Sequence, residues 1–469
     1  MEAGEWAEAR EREGIWSPAR RRLTVGLVLN VTLVAFEALA VATVLPVVTR
    51  HLGDLRLYGW VFSAFLLASL VGIVVAGTLA DRVAVTGPML GGLVLFAAGL
   101  VIGGTAPDMA VLVAGRAVQG LGAGVVPATA YVAISRGYPS ECRPRMFAVL
   151  STAWVVPGLV GPSVAAVVAT VAGWRWVFLE LLPLVAVAGV LASFALQAVP
   201  PPPRRADRDR PPLPALPIAG VVAGAAAVLA ALTSGRLPAL VPGVLAGAAL
   251  LAVSLRRLTP AGTLAARAGL PATILTRGLL TFTFYAGDAY VPYAITTARH
   301  APTVLAGLAL TASTITWCSG SWIQARVIRR WGPRRLVRTG LGLVLAALVL
   351  MVVVLLPGVP VAVSVGAWGV AGLGMGMSYS PLSVTTLDRA PAGEEGRATS
   401  GLQLTDVLGQ ALGTGAAGAI VAVGVRGLGL QTGVALTFGF GVVLGLVAVT
   451  VAVRVPRHLL GTHRPAVEG

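Results

Sequence analysis

Glu37, Arg116, Asp288 and Asp406 lie deep inside long apolar stretches, where a charge is costly. Glu37 stands in LTVGLVLNVTLVAFEALAVATVLP (23–46), about 15 residues after Arg22 and so roughly 22 Å along a helix. Arg116 is about eight residues into 109–134, Asp288 lies at the centre of 278–298, and Asp406 about nine residues past Arg397 in 398–424. A charge at the centre of a bilayer costs at least about 2.5–3.5 kcal/mol on insertion scales, so each needs a cavity, a partner or a neutral form. A carboxyl taken out of water resists ionisation, and alternating exposure to two sides would load and unload a proton. For Glu37 this proton-carrying role stands against that of a permanently protonated structural acid. Arg116 cannot discharge. It is either a switchable partner for Glu37 or a fixed tie between helices, and Gln119, one turn along, can hydrogen-bond to either group.

Asp288 lies within TFTFYAGDAYVPYAI, surrounded by Tyr285, Tyr290 and Tyr293, with Phe282 and Phe284 adding apolar surface. An acid among aromatics suits a lipophilic cation or a second protonation site; the tyrosines equally suit plain helix packing. Gln403 and Gln410 flank Asp406 at i−3 and i+4, a polar stripe that lines a cavity or knits helices. Glu180, about five residues past Arg175, reads as a solvated or ion-paired end residue. Asp81 and Arg82 close a span, where an acid caps a neighbouring helix or pairs with a loop arginine. Gly158, Gly161 and Pro162 permit a kink and close packing. The four histidines (His51, His300, His458, His463) fall in loops or tails, and Cys142 and Cys318 fit neither a disulfide framework nor a metal site. Neither a metal nor a cofactor is expected.

The elements that hold these residues are fourteen apolar stretches, near 23–46, 57–80, 87–105, 109–134, 146–171, 176–198, 214–233, 237–255, 278–298, 303–325, 336–356, 361–386, 398–424 and 430–453. Each is long enough to cross a hydrocarbon core about 30 Å thick. The chain is 56% hydrophobic and 12% charged, with a mean hydropathy of +0.85, which excludes an ordinary water-soluble domain. A net charge of +16 suggests nucleic acid, but the basic residues, all arginine, sit in connections between apolar runs. Twenty-seven of the 35 fall on one side of the alternation and six on the other. The positive-inside rule makes the rich side cytoplasmic, with both termini inside a multi-pass protein of the cell membrane. The expected organisation is an N-terminal segment (1–22, an uncleaved anchor with 23–46), a six-helix bundle (23–198), a proline-stiffened linker (199–213) and a charge-free hairpin (214–255) turning at Arg236. A second linker (256–277), a second six-helix bundle (278–453) and a tail (454–469) follow. The fold class is all-α and polytopic.

The two blocks of six repeat each other. RAVQGLGAGVVPATAYVAI (116–134) matches WGVAGLGMGMSYSPLSVTT (368–386), so that Gly120, Gly122 and Gly124 fall on Gly372, Gly374 and Gly376 and Arg116 falls on Trp368. In that register Arg145 falls on Arg397 and Gly161 on Gly413; GTLADR (77–82) echoes GSWIQA (320–325). Internal repeats of this size mark secondary transporters, whose substrate site lies near the midplane. GTLADR resembles the loop 2–3 signature of the major facilitator superfamily, RAVQGLGAG (116–124) its span 4 signature, and PGLVGPSVAA (157–166) the span 5 signature of its antiporters. FEALAVATVLP (36–46) and GWRWVFLELLP (173–183) are similar to spans 1 and 6 of its fourteen-span drug:proton antiporters. The chain departs in Glu37 for the usual Asp, in Gly87-Pro88-Met89-Leu90 for the basic cluster, and in Ser163 to Ala166 for a Gly pair.

The resemblance implies two pseudo-symmetric six-helix bundles plus a two-helix insertion. It implies a proton-driven exporter of lipophilic molecules, cations among them, working by alternating access, with Glu37 as proton carrier and Arg116 as its modulator. Asp288 and Asp406 would add to proton coupling, while Asp288, Tyr285, Tyr290, Tyr293, Gln119, Gln403, Asp406 and Gln410 would meet substrate. Gly77, Asp81, Arg82, Gly158, Gly161 and Pro162 would gate. The expected partners are the bilayer, protons and a small lipophilic substrate, for a monomer that binds no nucleic acid. An exporter of an endogenous metabolite or lipid is the alternative. An integral-membrane enzyme or receptor is a weaker one, since the chain shows no Walker loop, metal-ligand cluster or nucleophile–base pair.

Overall fold

A computed structural model describes residues 14–18, 20–53, 57–202, 214–233, 237–427 and 429–460; the turn residue Arg236 and linker positions 203–213 lie outside them. Every expected apolar stretch falls on helical backbone. The first unit holds α1 (Arg21–Leu52), α2 (Tyr58–Ala80), α3 (Thr86–Gly104), α4 (Met109–Gly137), α5 (Arg143–Thr152), α6 (Val155–Val171), α7 (Trp176–Leu179) and α8 (Leu181–Leu196). Then come α9 (Ala215–Thr233), α10 (Leu237–Leu258), α11 (Leu270–Asp288), α12 (Val291–Tyr293) and a π-helical turn (Ala294–Ala298). Last are α13 (Thr303–Val354), α14 (Val363–Arg389), α15 (Glu395–Gly427) and α16 (Leu430–Ala452). The chain forms two compact units, Met1–Leu213 with Pro391–Thr399, and Pro214–Ala390 with Ser400–Gly469.

Ten helices among the described residues are long and apolar enough to cross a membrane. The others are α11, α14 and α15, which carry Arg277, Asp288, Asp406 and runs of Ser, Thr and Gln; α13 counts once although it turns sharply at Gly332 (φ 75°, ψ 157°). A β-carbon at Gly332 would run into the carbonyl of Arg457, so glycine alone lets the C-terminal segment pass there.

The repeat is physical as well as textual. In the first unit, β-carbons at Gly120 and Gly124 would overlap the carbonyls of Phe65 and Ser69, and one at Gly122 that of Gly92. In the second, Gly372, Gly376 and Gly374 stand in the same way against Ser313, Trp317 and Gly340. Small residues thus let α4 and α14 press onto the backbones of their neighbours, the usual source of helix association in lipid. This packing fixes the register of α2 against α13, which pairs GTLADR with ARVIRR (325–330). The expected echo at 320–325 is displaced by five residues, because an isolated Gly match carries little register information.

Three boundaries differ from expectation. Helix α11 begins at Leu270, not 278, so Arg277 is a helical residue and not the end of a linker. The expected continuous stretch to 298 breaks after Asp288, four residues before Pro292, whose ring and missing N–H disrupt the turn preceding it. Likewise the break between α5 and α6 falls at Ala153–Trp154, four residues before Pro157, while α6 runs unbroken through Gly158, Gly161 and Pro162. Gly161 is buried, with room for a β-carbon 3.8 Å from Phe36 and Leu39; Gly158 is exposed.

Candidate functional site

The buried charges fall into three clusters, each within one unit. In the first, α4 is capped at its start by Asp108, whose carboxylate accepts from Val111 N–H at 2.9 Å, and about two turns on it delivers Arg116 to α1. Arg116 Nη1 donates to Glu37 Oε1 and, at 2.7 Å, to Gln119 Oε1; its Nε reaches the Val61 carbonyl at 3.3 Å and its guanidinium lies over the Phe65 ring at 4.2 Å. Glu37 is 0% exposed and Arg116 3%. Glu37 Oε2 and the Gln119 amide nitrogen are buried without a hydrogen-bond partner. Arg116 thus holds one oxygen of this carboxylate.

The second cluster lies at the end of α2. Asp81 Oδ1 accepts from Gly396 N–H at 2.7 Å and Oδ2 from Arg397 N–H at 2.9 Å, so a side chain far away in sequence caps the first turn of α15. Arg136 ties the cap together, donating to Ala80 O at 2.9 Å and Glu395 Oε2 at 3.0 Å while lying 3.5 Å from Asp81 Oδ1. Burial pushes the Asp81 carboxyl up to about 6, although the two N–H groups and Arg136 pull the other way; Glu395 adds to the rise. Gly77 contributes its backbone, whose carbonyl leaves no space for a β-carbon at Gly396. Arg82 is half-buried beside it.

In the second unit, Asp288 Oδ1 accepts a 2.8 Å hydrogen bond from the indole Nε1 of Trp368. Phe284 stacks on Trp368, with centroids 5.4 Å apart at 24°, and meets Trp317 and Tyr285 edge-on at 5.5 and 5.3 Å. Tyr290 and Tyr293 pack edge-to-face at 6.3 Å, the Tyr290 hydroxyl against Gly418. Nearby, Arg277 is 0% exposed and its Nε donates to Asp406 Oδ1 at 3.0 Å. Its Nη1 donates to Tyr379 O at 2.7 Å and Ser383 Oγ at 3.1 Å, and its guanidinium covers the Tyr379 ring. The Tyr379 hydroxyl donates to Asp406 Oδ2 at 2.8 Å, so both oxygens of that carboxylate are taken. Tyr285 lies within electrostatic reach of Asp288, Asp406 and Arg277.

The structure therefore brings Glu37, Arg116 and Gln119 together and places Asp288 in an aromatic wall. It divides the expected polar stripe of α15: Gln403 is buried, Asp406 partly so, and Gln410 exposed. Glu180, expected to be a solvated end residue, turns Oε1 inward without a partner. Sequence reasoning misses Arg277 because it ends a linker there, and Tyr379 and Ser383 because, uncharged on α14, they gain a role only through Arg277. The signal for Trp368 was present, since it occupies the repeat position of Arg116.

A family model described as Major Facilitator Superfamily matches residues 27–414 and 274–468. The chain is similar to a probable multidrug-efflux transporter of Mycobacterium tuberculosis, 28% identical over 441 residues, covering 88% of this chain and 91% of that protein. It is also similar to the multidrug transporter protein MdtP of Bacillus subtilis, 28% identical over 178 residues, 38% of this chain and 33% of that one. In fold it resembles the crystal structure of the human organic anion transporter MFSD10, with a TM-score of 0.67 at 16% identity over 93% of this chain and 99% of that one. Repeated glycine packing, buried charges on apolar helices and these likenesses lead to one conclusion: this multi-pass membrane protein is a transporter, not an enzyme, and belongs to the Major Facilitator Superfamily.

Proposed function

We propose that the protein is a proton-coupled exporter of lipophilic small molecules, cations included. It would work by antiport across the cell membrane through fourteen spans, as a monomer with both termini cytoplasmic and no cofactor beyond the proton gradient. One observation carries this reading. Glu37 is fully buried, with one oxygen on Arg116 and the other without a hydrogen-bond partner. Protonation at Oε2 cancels the charge that holds Arg116, leaving the guanidinium to Gln119, Val61 O and the Phe65 face. Loss of the proton restores the pair. In the protonated state Arg116 keeps its charge without a counter-ion, and the Gln119 and Val61 oxygens and the Phe65 face lower the cost of that state, so the pair can cycle.

Asp288 and its stacked aromatics form the surface that a lipophilic cation would prefer, the carboxylate supplying charge and the rings a polarisable wall. Asp81 supports a gate. It holds the first turn of α15, the helix that also carries Asp406, and releasing the cap would free that helix end. The multidrug-efflux relatives agree with export as the direction. The deciding experiment reconstitutes the protein in vesicles with a pH gradient and an internal pH dye, and adds lipophilic cations such as tetraphenylphosphonium. Substrate-dependent proton flux opposite to substrate movement is expected. Transport indifferent to the pH gradient would overturn the reading.

A further inference from the structure

A cavity of about 530 Å³ opens at one end of the second unit, between the start of α11, the bend of α13, the end of α14 and the segment after α16. Four arginines line it, Arg334, Arg389, Arg454 and Arg457, and among the described residues no carboxylate does. Three are held by backbone carbonyls. Arg334 Nε donates to Val455 O at 2.6 Å, Arg389 Nη2 to His458 O at 2.8 Å and Arg454 Nη1 to Ala266 O at 3.3 Å. The nearby Asp388 does not neutralise them all, since one of its oxygens already accepts from Leu460 N–H at 2.8 Å and lies 3.5 Å from Arg389 Nε. Guanidinium groups stay charged at any physiological pH. Four of them around one cavity make a seat for a multivalent oxyanion, the ligand whose geometry suits their forks.

A second opening, about 610 Å³, lies between α13 and α16, with Arg335 next in the chain to Arg334 of the first. Arg335 and Arg338 lie at its edge, and Leu345, Leu446 and Val449 form an apolar floor beside Trp331. Trp331 is 48% exposed and Leu446 54%, on helices whose outer faces meet lipid. Tryptophan and arginine flanking an apolar strip is the composition of a membrane–water interface, where a basic pocket attracts anionic headgroups. We infer that these paired openings bind an anionic phospholipid, the phosphate seated among Arg334, Arg389, Arg454 and Arg457 and an acyl chain lying along Leu446 and Val449. The site is separate from the Glu37, Asp81, Asp288 and Asp406 clusters and does not rest on any particular substrate.

The test titrates delipidated full-length protein in detergent with phosphatidylglycerol and phosphatidylcholine, reading bound lipid by native mass spectrometry. Phosphatidylglycerol should bind at least about 10-fold more tightly, since one charge-assisted contact alone contributes about that much. Arg454→Gln with Arg457→Gln should abolish the preference, and the corresponding double Lys variant should keep part of it. Equal binding of the two lipids to the wild-type protein would overturn the inference, whatever the variants do. So would an undiminished preference in the Gln variant. Full displacement of phosphatidylglycerol by millimolar inorganic phosphate would assign the cavity to a soluble anion instead.

Discussion

Each unit sets a carboxylate against the same position of its glycine-packed helix and holds it differently. Glu37 on α1 and Asp288 on α11 are 251 positions apart, and the groups that grip them, Arg116 on α4 and Trp368 on α14, are 252 apart. The glycine contacts that seat α4 and α14 against their neighbours are the same. The chemistry is not: one acid meets a fixed cation, the other a neutral N–H donor in an aromatic stack. The second unit keeps its cation elsewhere, in an Arg277–Asp406–Tyr379 network that occupies both oxygens of the acid. An acid with an open oxygen can change its protonation without dismantling its surroundings. An acid fully occupied by a buried arginine and a tyrosine is a tie between helices. The repeat thus supplied the helix position, and single side chains there make one acid half of an ion pair and the other part of a polar, ring-lined surface.

The largest effect should come from Glu37→Gln, which keeps the shape and removes only the titration. Substrate-driven proton flux in vesicles should fall by about 100-fold or more, the low end of what a positioned proton carrier contributes, while the protein remains folded and monodisperse. Coupled accumulation in this variant would end the contrast between the units. Asp at the same position should retain part of the activity.

Next in size is the tie. Arg277→Met leaves Asp406 buried opposite an apolar chain, at a cost of about 3–5 kcal/mol, and should sharply lower the thermal midpoint in detergent. Adding Asp406→Leu should recover much of that loss. A single variant as stable as the wild type would mean that the Arg277–Asp406 pair does not hold these helices together.

Asp288→Asn sharpens the other side of the comparison. Transport of cationic substrates should weaken by about 10-fold, while neutral ones change little, since only a cation gains from an anion in a low-dielectric wall. Equal losses for both would assign Asp288 to packing or proton handling. Trp368→Phe, which removes the indole donor but keeps the stack on Phe284, should cost about 1–3 kcal/mol of stability through the unsatisfied carboxylate.

The smallest effect concerns the Asp81 cap and its pH dependence. Its carboxyl sits at about 6, above the ordinary 3.8, because burial outweighs the N–H donors. A raised acid binds protons more tightly in the capped state than when released. The cap is therefore fully stable below about pH 4 and loses stability as pH rises through about 6. Hydrogen exchange at the start of α15 should speed up over that window. Asp81→Asn should flatten the profile and cost about 1 kcal/mol, the usual scale of an N-cap. A profile unchanged by the substitution would point to another titrating group.

Much of this was legible in the residues themselves. Apolar length alone placed the helices, since a 30 Å hydrocarbon layer leaves no other use for such runs. Glu37, Arg116 and Asp288 stood out because intramembrane charge is expensive, and the glycine register exposed the repeat because only glycine tolerates those backbone contacts. Helix breaks were harder, as Pro157 and Pro292 act on the turn four residues before them, away from the motifs that drew attention. Partnership was beyond the one-dimensional pattern. That Arg277 would meet Asp406 across 129 positions, that Trp368 would donate to Asp288, and that Asp81 would cap a helix beginning at Glu395 depended on which helices lie side by side. Hydrophobicity fixes whether a segment enters the membrane, because that free energy adds residue by residue. Which side chains face each other is decided by packing, a property of pairs of helices that no single segment contains.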